Sequence, residues 1–184
     1  LQLEASEAEA LNHAYGTNGI LTALTLATAP SIAWQELVVD CPDWSTAVEL
    51  ARRCCAAAID LHLCTVLEAA VVEQLPQWDL PVSAKDRLLL LVAPDAVSTV
   101  HRLATAAGAV VTHLGSEADR HGNGLKELTW NHTTLHLRQR DSAWTYLQML
   151  LPQPELAFLD SLKQSWGDDL LWHCLLYTSP SPRD

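Results

Sequence analysis

An apolar run, an amphipathic helical pattern and a second apolar run occur in that order twice in this chain, and the doubling limits its fold more than any other feature. The first copy begins at Gln35–Cys41, where Leu37, Val38 and Val39 make a strand candidate. Asp43 follows as a helix N-cap, its carboxylate suited to accept the unpaired N–H groups of a first turn. Trp44, Ala47, Val48, Ala51, Cys55 and Ala58 then recur at three- and four-residue spacing, which gives a helix one apolar face. Leu61–Val66 returns as a strand. The second copy opens at Arg87–Ala93, a buried strand with five apolar residues in a row, Leu88 to Val92. Asp95 is expected to cap the next helix, which carries Val97, Val100, Ala104 and Ala107. Gly108 supplies the stop, because glycine takes the left-handed conformation cheaply. Ala109–Leu114 closes the copy as a strand. Between the copies, Glu68–Leu75 reads as a short helix that stops at Pro76, followed by a loop to Asp86. Two such units predict a split βαβ arrangement, with two helices on one face of an antiparallel sheet.

The fold class expected is therefore α+β, and the arrangement is of the ferredoxin-like type. With 184 residues, 49% of them apolar, the chain can bury one core or make parts of two domains. A net charge of -11 argues against a nucleic-acid partner, which needs basic residues to neutralise phosphate. It also argues against docking on an anionic membrane through a basic patch. The five cysteines form no C-x-x-C pair and read as reduced core thiols, as in the cytoplasm. No apolar run approaches the roughly 20 residues of a membrane span. The chain starts at Leu1 rather than Met, which leaves a targeting segment open.

Outside the doubled unit the pattern is looser. Ile20–Ala27, apolar with threonines interleaved, predicts a strand closed by Pro30, and a domain junction is placed near Ala29–Ala33. Leu125–Arg138 shows no decisive period. Trp144–Leu151 reads as a strand, Pro154–Trp166 as a helix ended by Gly167, and Asp169–His173 as the start of a strand. The tail, Cys174–Asp184, resembles the translated end of a transposase sequencing adapter. It is excluded from the fold, with Thr178–Pro182 expected to be disordered, and the native protein is expected to continue past His173.

Gly16-Thr17-Asn18-Gly19-Ile20-Leu21-Thr22 is the most informative short segment. Two glycines three apart let the backbone approach a ligand without Cβ clashes, and the N–H groups of such a turn can face a phosphate or flavin oxygen. An ordinary strand-entry turn has the same composition. The segment is neither a Walker loop nor the dinucleotide G-x-G-x-x-G. Ala14 to Thr22, followed by an apolar strand and Ala29-Pro30, resembles the GT-x-GI-(I/V)-T segment of FAD-linked oxidases of the vanillyl-alcohol oxidase and p-cresol methylhydroxylase (PCMH) superfamily. The similarity is to the branch of D-lactate, glycolate and D-2-hydroxyglutarate dehydrogenases. Thr129-Trp130-Asn131-His132-Thr133-Thr134 and Thr145-Tyr146-Leu147-Gln148 are similar to segments of a bacterial subgroup, so the resemblance covers roughly Leu11 to His173.

The resemblance implies three parts. Residues 1–32 would end a PCMH-type FAD-binding domain, 33–173 would form a truncated ferredoxin-like substrate or cap domain, and 174–184 would be the adapter-like tail. It implies FAD as cofactor, with Gly16, Thr17, Asn18, Gly19 and Ile20 lining its site, and a small 2-hydroxy acid or alcohol as substrate. It also implies that most of the flavin domain, an N-terminal part of the same chain, is missing, so the fragment should hold FAD poorly and turn over nothing. The location implied is cytoplasmic, with attachment at the inner membrane surface left open.

His132 is the expected catalytic base, because a base must take the substrate hydroxyl proton and histidine as a residue type suits that task near neutral pH. Asn131 and Thr133 are expected to orient the substrate or the flavin edge beside it. The competing reading is that His132 is structural and that Asn131 and Thr133 cap the backbone. His132 and His136 are four apart, but the glutamate of H-E-x-x-H is missing and no metal site is assigned, although some relatives in the branch carry a divalent metal. Arg120, Arg138 and Arg140 are candidates for a substrate carboxylate, each weighed against plain surface charge. Glu68 and Glu73 read as surface residues. The alternative function is a free-standing ferredoxin-like module that binds a small regulatory ligand, since such a fold serves many purposes.

Overall fold

The computed structural model describes residues 3, 7, 17, 19–20, 22–28, 30–75, 80, 82–120, 124–128, 131–149, 157–167 and 170–178. The chain divides into two compact units, Leu1–Ser31 and Ile32–Asp184.

In the second unit, five strands form one antiparallel sheet in the order β4-β1-β3-β2-β5. They are β1 (Gln35–Cys41), β2 (Leu61–Leu67), β3 (Asp86–Val92), β4 (Val110–Ser116) and β5 (His173–Thr178). The central strand β3 carries five consecutive apolar residues, Leu88 to Val92, between β1 and β2. The main helices are α1 (Trp44–Ala56), α2 (Ala69–Gln74), α3 (Val97–Ala106), α4 (Asn131–Arg140) and α5 (Ala157–Trp166).

Alternation along the strands sorts the core into two layers. Leu37, Val39, Cys64, Val66, Leu88 and Leu90 pack on one face against Ala47, Ala51 and Cys54 of α1 and Val100 and Ala104 of α3. The alanines on both helices let them lie close to the sheet. Val38, Leu63, Leu67, Leu89 and Leu91 cover the opposite face, under Val71 of α2, Leu75, Leu125 and Leu128. Polar residues also lie on this second face. Arg87 of β3 stands directly across from Asp40 of β1, Nε to Oδ1 2.7 Å, with side chains 3% and 19% exposed.

Local signals explain the helix ends. Asp43 Oδ1 accepts from Thr46 N–H at 2.8 Å, the cap that the sequence predicts. Gly108 adopts φ +70 and ends α3. Asp95 does not cap: Pro94–Ala96 form a 3-10 turn ahead of α3, and no side chain caps that helix. Proline at the first position of the turn starts the helical path earlier than an Asp95 cap would. Glu68 is not a surface residue either. Its carboxylate pairs with Lys163 of α5 and accepts from Trp172 N–H at 3.0 Å, while the ammonium lies 5.2 Å from the Trp44 ring centre and 5.9 Å from that of Trp172.

Trp144–Met149, expected as part of a strand, is exposed and joins no ladder among the described residues. An apolar alternation stays irregular when no strand edge is within reach. Conversely, β5 includes Cys174–Thr178, which the sequence reading sets aside as tail; Val66 faces Cys174 and Cys64 faces Tyr177. The open edge of β2 offers unpaired N–H and C=O groups, and an apolar run following Leu170–His173 satisfies them whatever its origin. Residues 179–184 lie outside the described residues.

His173, the first residue of β5, has an Nε2 sealed from solvent and without a hydrogen-bond partner. Burial pushes its pKa down from 6.5 to about 4. The unfolded chain therefore binds the proton first as pH falls, and stability should drop between pH 6.5 and about 4, then level off. The loss is about 3 kcal/mol at most. Urea midpoints across that window test it, with His173→Leu expected to flatten the slope.

In the first unit, Thr22–Thr28 is exposed and forms no strand, contrary to the pattern reading of Ile20–Ala27. Threonine interleaving suits a sheet only when a partner strand is present.

Candidate functional site

The site is built outward from β1. Glu36 lies in the middle of the sheet and is fully buried. Its Oε1 accepts from Leu125 N–H at 2.6 Å and so ties the segment after Gly124 to the strand. A Cβ on Gly124 would sit 2.8 Å from that oxygen, so a larger residue there would have to displace the Glu36 carboxylate. Leu125–Leu128 make a 3-10 turn whose two leucines fill the second face of the sheet. Thr133 Oγ1 donates to Leu128 C=O at 2.6 Å and is buried. That bond fixes the first turn of α4 to the preceding turn, and His132 rides on it.

His132 is half-exposed, with its Nδ1 3.0 Å from Glu127 Oε2; the two side chains are 45% and 43% exposed. The distance is that of an ion pair, yet Nδ1 has no partner in hydrogen-bond direction. The contact carries charge attraction only when the ring is protonated, and solvent around both side chains weakens it.

The other expected site residues are placed as follows. Asn131 opens α4, and its side chain lies outside the described residues. Thr17, Gly19 and Ile20 are exposed, and Gly19 takes φ +135, a conformation that favours glycine. Nothing lies within 4 Å of a Cβ built there. Gly16 and Asn18 lie outside the described residues. Arg138 is exposed, and Arg140 donates to Gln74 C=O at 2.7 Å. Among the described residues no three His, Cys, Asp or Glu groups are arranged to hold a metal ion. No described helix is long and apolar enough to cross a membrane.

Sequence reasoning missed Glu36 and Glu127. An acid inside an apolar strand was the available signal for Glu36, since an internal acid is retained when it has a buried partner. Glu127 had none, because its role depends on a turn that no period announces. Also missed was a cavity of about 250 Å³ on the second face of the sheet, walled by Leu67, Val72, Leu75, Leu89 and Leu128 with Arg87 at its edge.

No family model matches the sequence, and no curated protein matches it.

Proposed function

We propose that this chain is part of an FAD-dependent oxidoreductase that oxidises a small 2-hydroxy acid or alcohol. The observation that carries the reading is His132, a half-exposed imidazole with a carboxylate at Nδ1, on a helix start anchored to the sheet. His132 takes the substrate hydroxyl proton, and Asn131 beside it orients the substrate. Bound FAD supplies the hydride acceptor. Gly16, Thr17, Asn18, Gly19 and Ile20 would hold it through their backbone, and among them Thr17, Gly19 and Ile20 are exposed. The strand order β4-β1-β3-β2, with the two helices that follow β1 and β3 on one face, supports a ferredoxin-like cap domain after the glycine segment.

The same sheet, with its cavity of about 250 Å³, favours a second reading, a module that binds a small regulatory ligand. Flavin content separates the two. The complete reading frame should purify yellow, and Gly16→Val should lose most of its flavin absorbance, because a branched side chain blocks the backbone's approach. Full flavin in that variant would sink the placement of the glycine segment. A colourless complete protein would favour the binding module.

A further inference from the structure

The cavity on the second face of the sheet is bounded by several elements. Leu67 of β2 and Leu89 of β3 line it from the sheet. Val72 of α2, the following Leu75, and Leu128 of the 3-10 turn line it from the covering layer. Its volume is about 250 Å³. An apolar cavity of about 150 Å³ takes a benzene, so this one has room for a substituted ring or a short alkyl chain. Helix α4 is tied to both covering elements. Thr133 Oγ1, in its first turn, donates to the Leu128 carbonyl at 2.6 Å, and Arg140 Nη1, at its end, donates to the Gln74 carbonyl at 2.7 Å.

We propose that the cavity is a regulatory site for a small, neutral, largely apolar molecule, of the class of aromatic or short aliphatic alcohols, and that its occupancy steadies α4. The proposal rests on the second reading above, whose ligand it names, and it needs no flavin.

The charges select a neutral ligand. Arg87 is the buried charged group at the cavity, 2% exposed, and Asp40 faces it at 2.7 Å. An anion gains little from a guanidinium that already has its carboxylate, and it would meet Glu73 at the border. A cation would lie beside the guanidinium in a site of low dielectric, a like-charge contact. Burial of a ring or alkyl chain against the leucines supplies the affinity. One hydroxyl is accommodated at the border, where Glu73 is exposed and Ser83 half-buried, so it keeps a hydrogen-bonding environment. An empty space leaves Val72, Leu75 and Leu128 without contacts on one side; a ligand restores them, and the two elements that hold α4 are held more firmly in turn.

The test titrates the whole chain, its leucine and valine methyls labelled with carbon-13, with benzyl alcohol and separately with benzoate. Benzyl alcohol should shift the methyl signals of Leu67, Val72, Leu75, Leu89 and Leu128 saturably, while those of Val39 and Val100 on the other face stay in place. At ten times the half-saturating concentration, α4 amides should exchange with solvent deuterium up to about tenfold more slowly, because opening the helix loosens the occupied site. Val72→Phe, which fills the space from α2, should abolish the shifts at Leu89 and Leu128; unweakened binding there overturns the location. Shifts that grow linearly, or that appear equally at Val39 and Val100, overturn the site. Saturable binding of benzoate alone overturns the neutral class yet keeps the second reading, whereas no saturable shift with either probe overturns the site itself. Unchanged α4 exchange at saturation overturns the coupling. The titrations of the parent chain decide the question even where the variant does not fold.

Discussion

His132→Ala, made in the complete reading frame, is expected to reduce kcat and kcat/KM together by about 10²–10⁴-fold. The reasoning starts from the proton. Oxidising a carbinol requires the hydroxyl proton to leave as hydride departs, and a positioned imidazole is the group that takes it near neutral pH. Flavin content should not change, since the residues proposed to hold FAD belong to the Gly16–Ile20 segment. Glu127→Gln should have a smaller effect, because the carboxylate only biases the ring from 3.0 Å in a solvent-exposed contact. Turnover within threefold of the parent, roughly 0.6 kcal/mol of barrier, would make His132 a surface residue and remove the base from the proposal.

The second large effect is on folding. Asp40→Ala should lower stability by about 3–5 kcal/mol. Arg87 is a guanidinium inside the sheet, 3% exposed, and Asp40 is its carboxylate partner at 2.7 Å. Removing the carboxylate takes away the partner that faces the guanidinium across the strands, so less of its desolvation is offset. Urea unfolding should show a lower midpoint with little change in slope. Replacing both residues, Asp40→Leu with Arg87→Met, should recover much of the loss, because the pair itself adds little over apolar packing. A single variant as stable as the parent would mean that other partners of Arg87, or water, offset its charge.

The sheet and its covering helices were legible because their two periods differ sharply. Leu88 to Val92 reads as a buried strand, and Trp44 to Cys55 reads as a helix with one apolar stripe. Asp43 was readable as a cap from its place before that stripe; Asp95 had the same credentials but follows a proline that starts the turn itself. Trp144–Met149 failed because composition reports willingness to pair, whereas pairing needs an edge in space. In the candidate site, His132 was visible as a residue but its setting was not. Glu36 reaches Leu125 across a long sequence separation, and no local window contains both. Glu68 read as surface because its partners, Lys163 and Trp172, come from the other end of the chain.

The Glu36 anchor also determines how the molecule can be dissected. A peptide carrying only the turn and α4 keeps the Thr133 bond but has nothing against which to brace. The imidazole would then sample space on a tether. The smallest portable unit that presents His132 in one orientation is the sheet domain with β1 intact, so any transplant of this histidine into another scaffold must bring an internal acid with it.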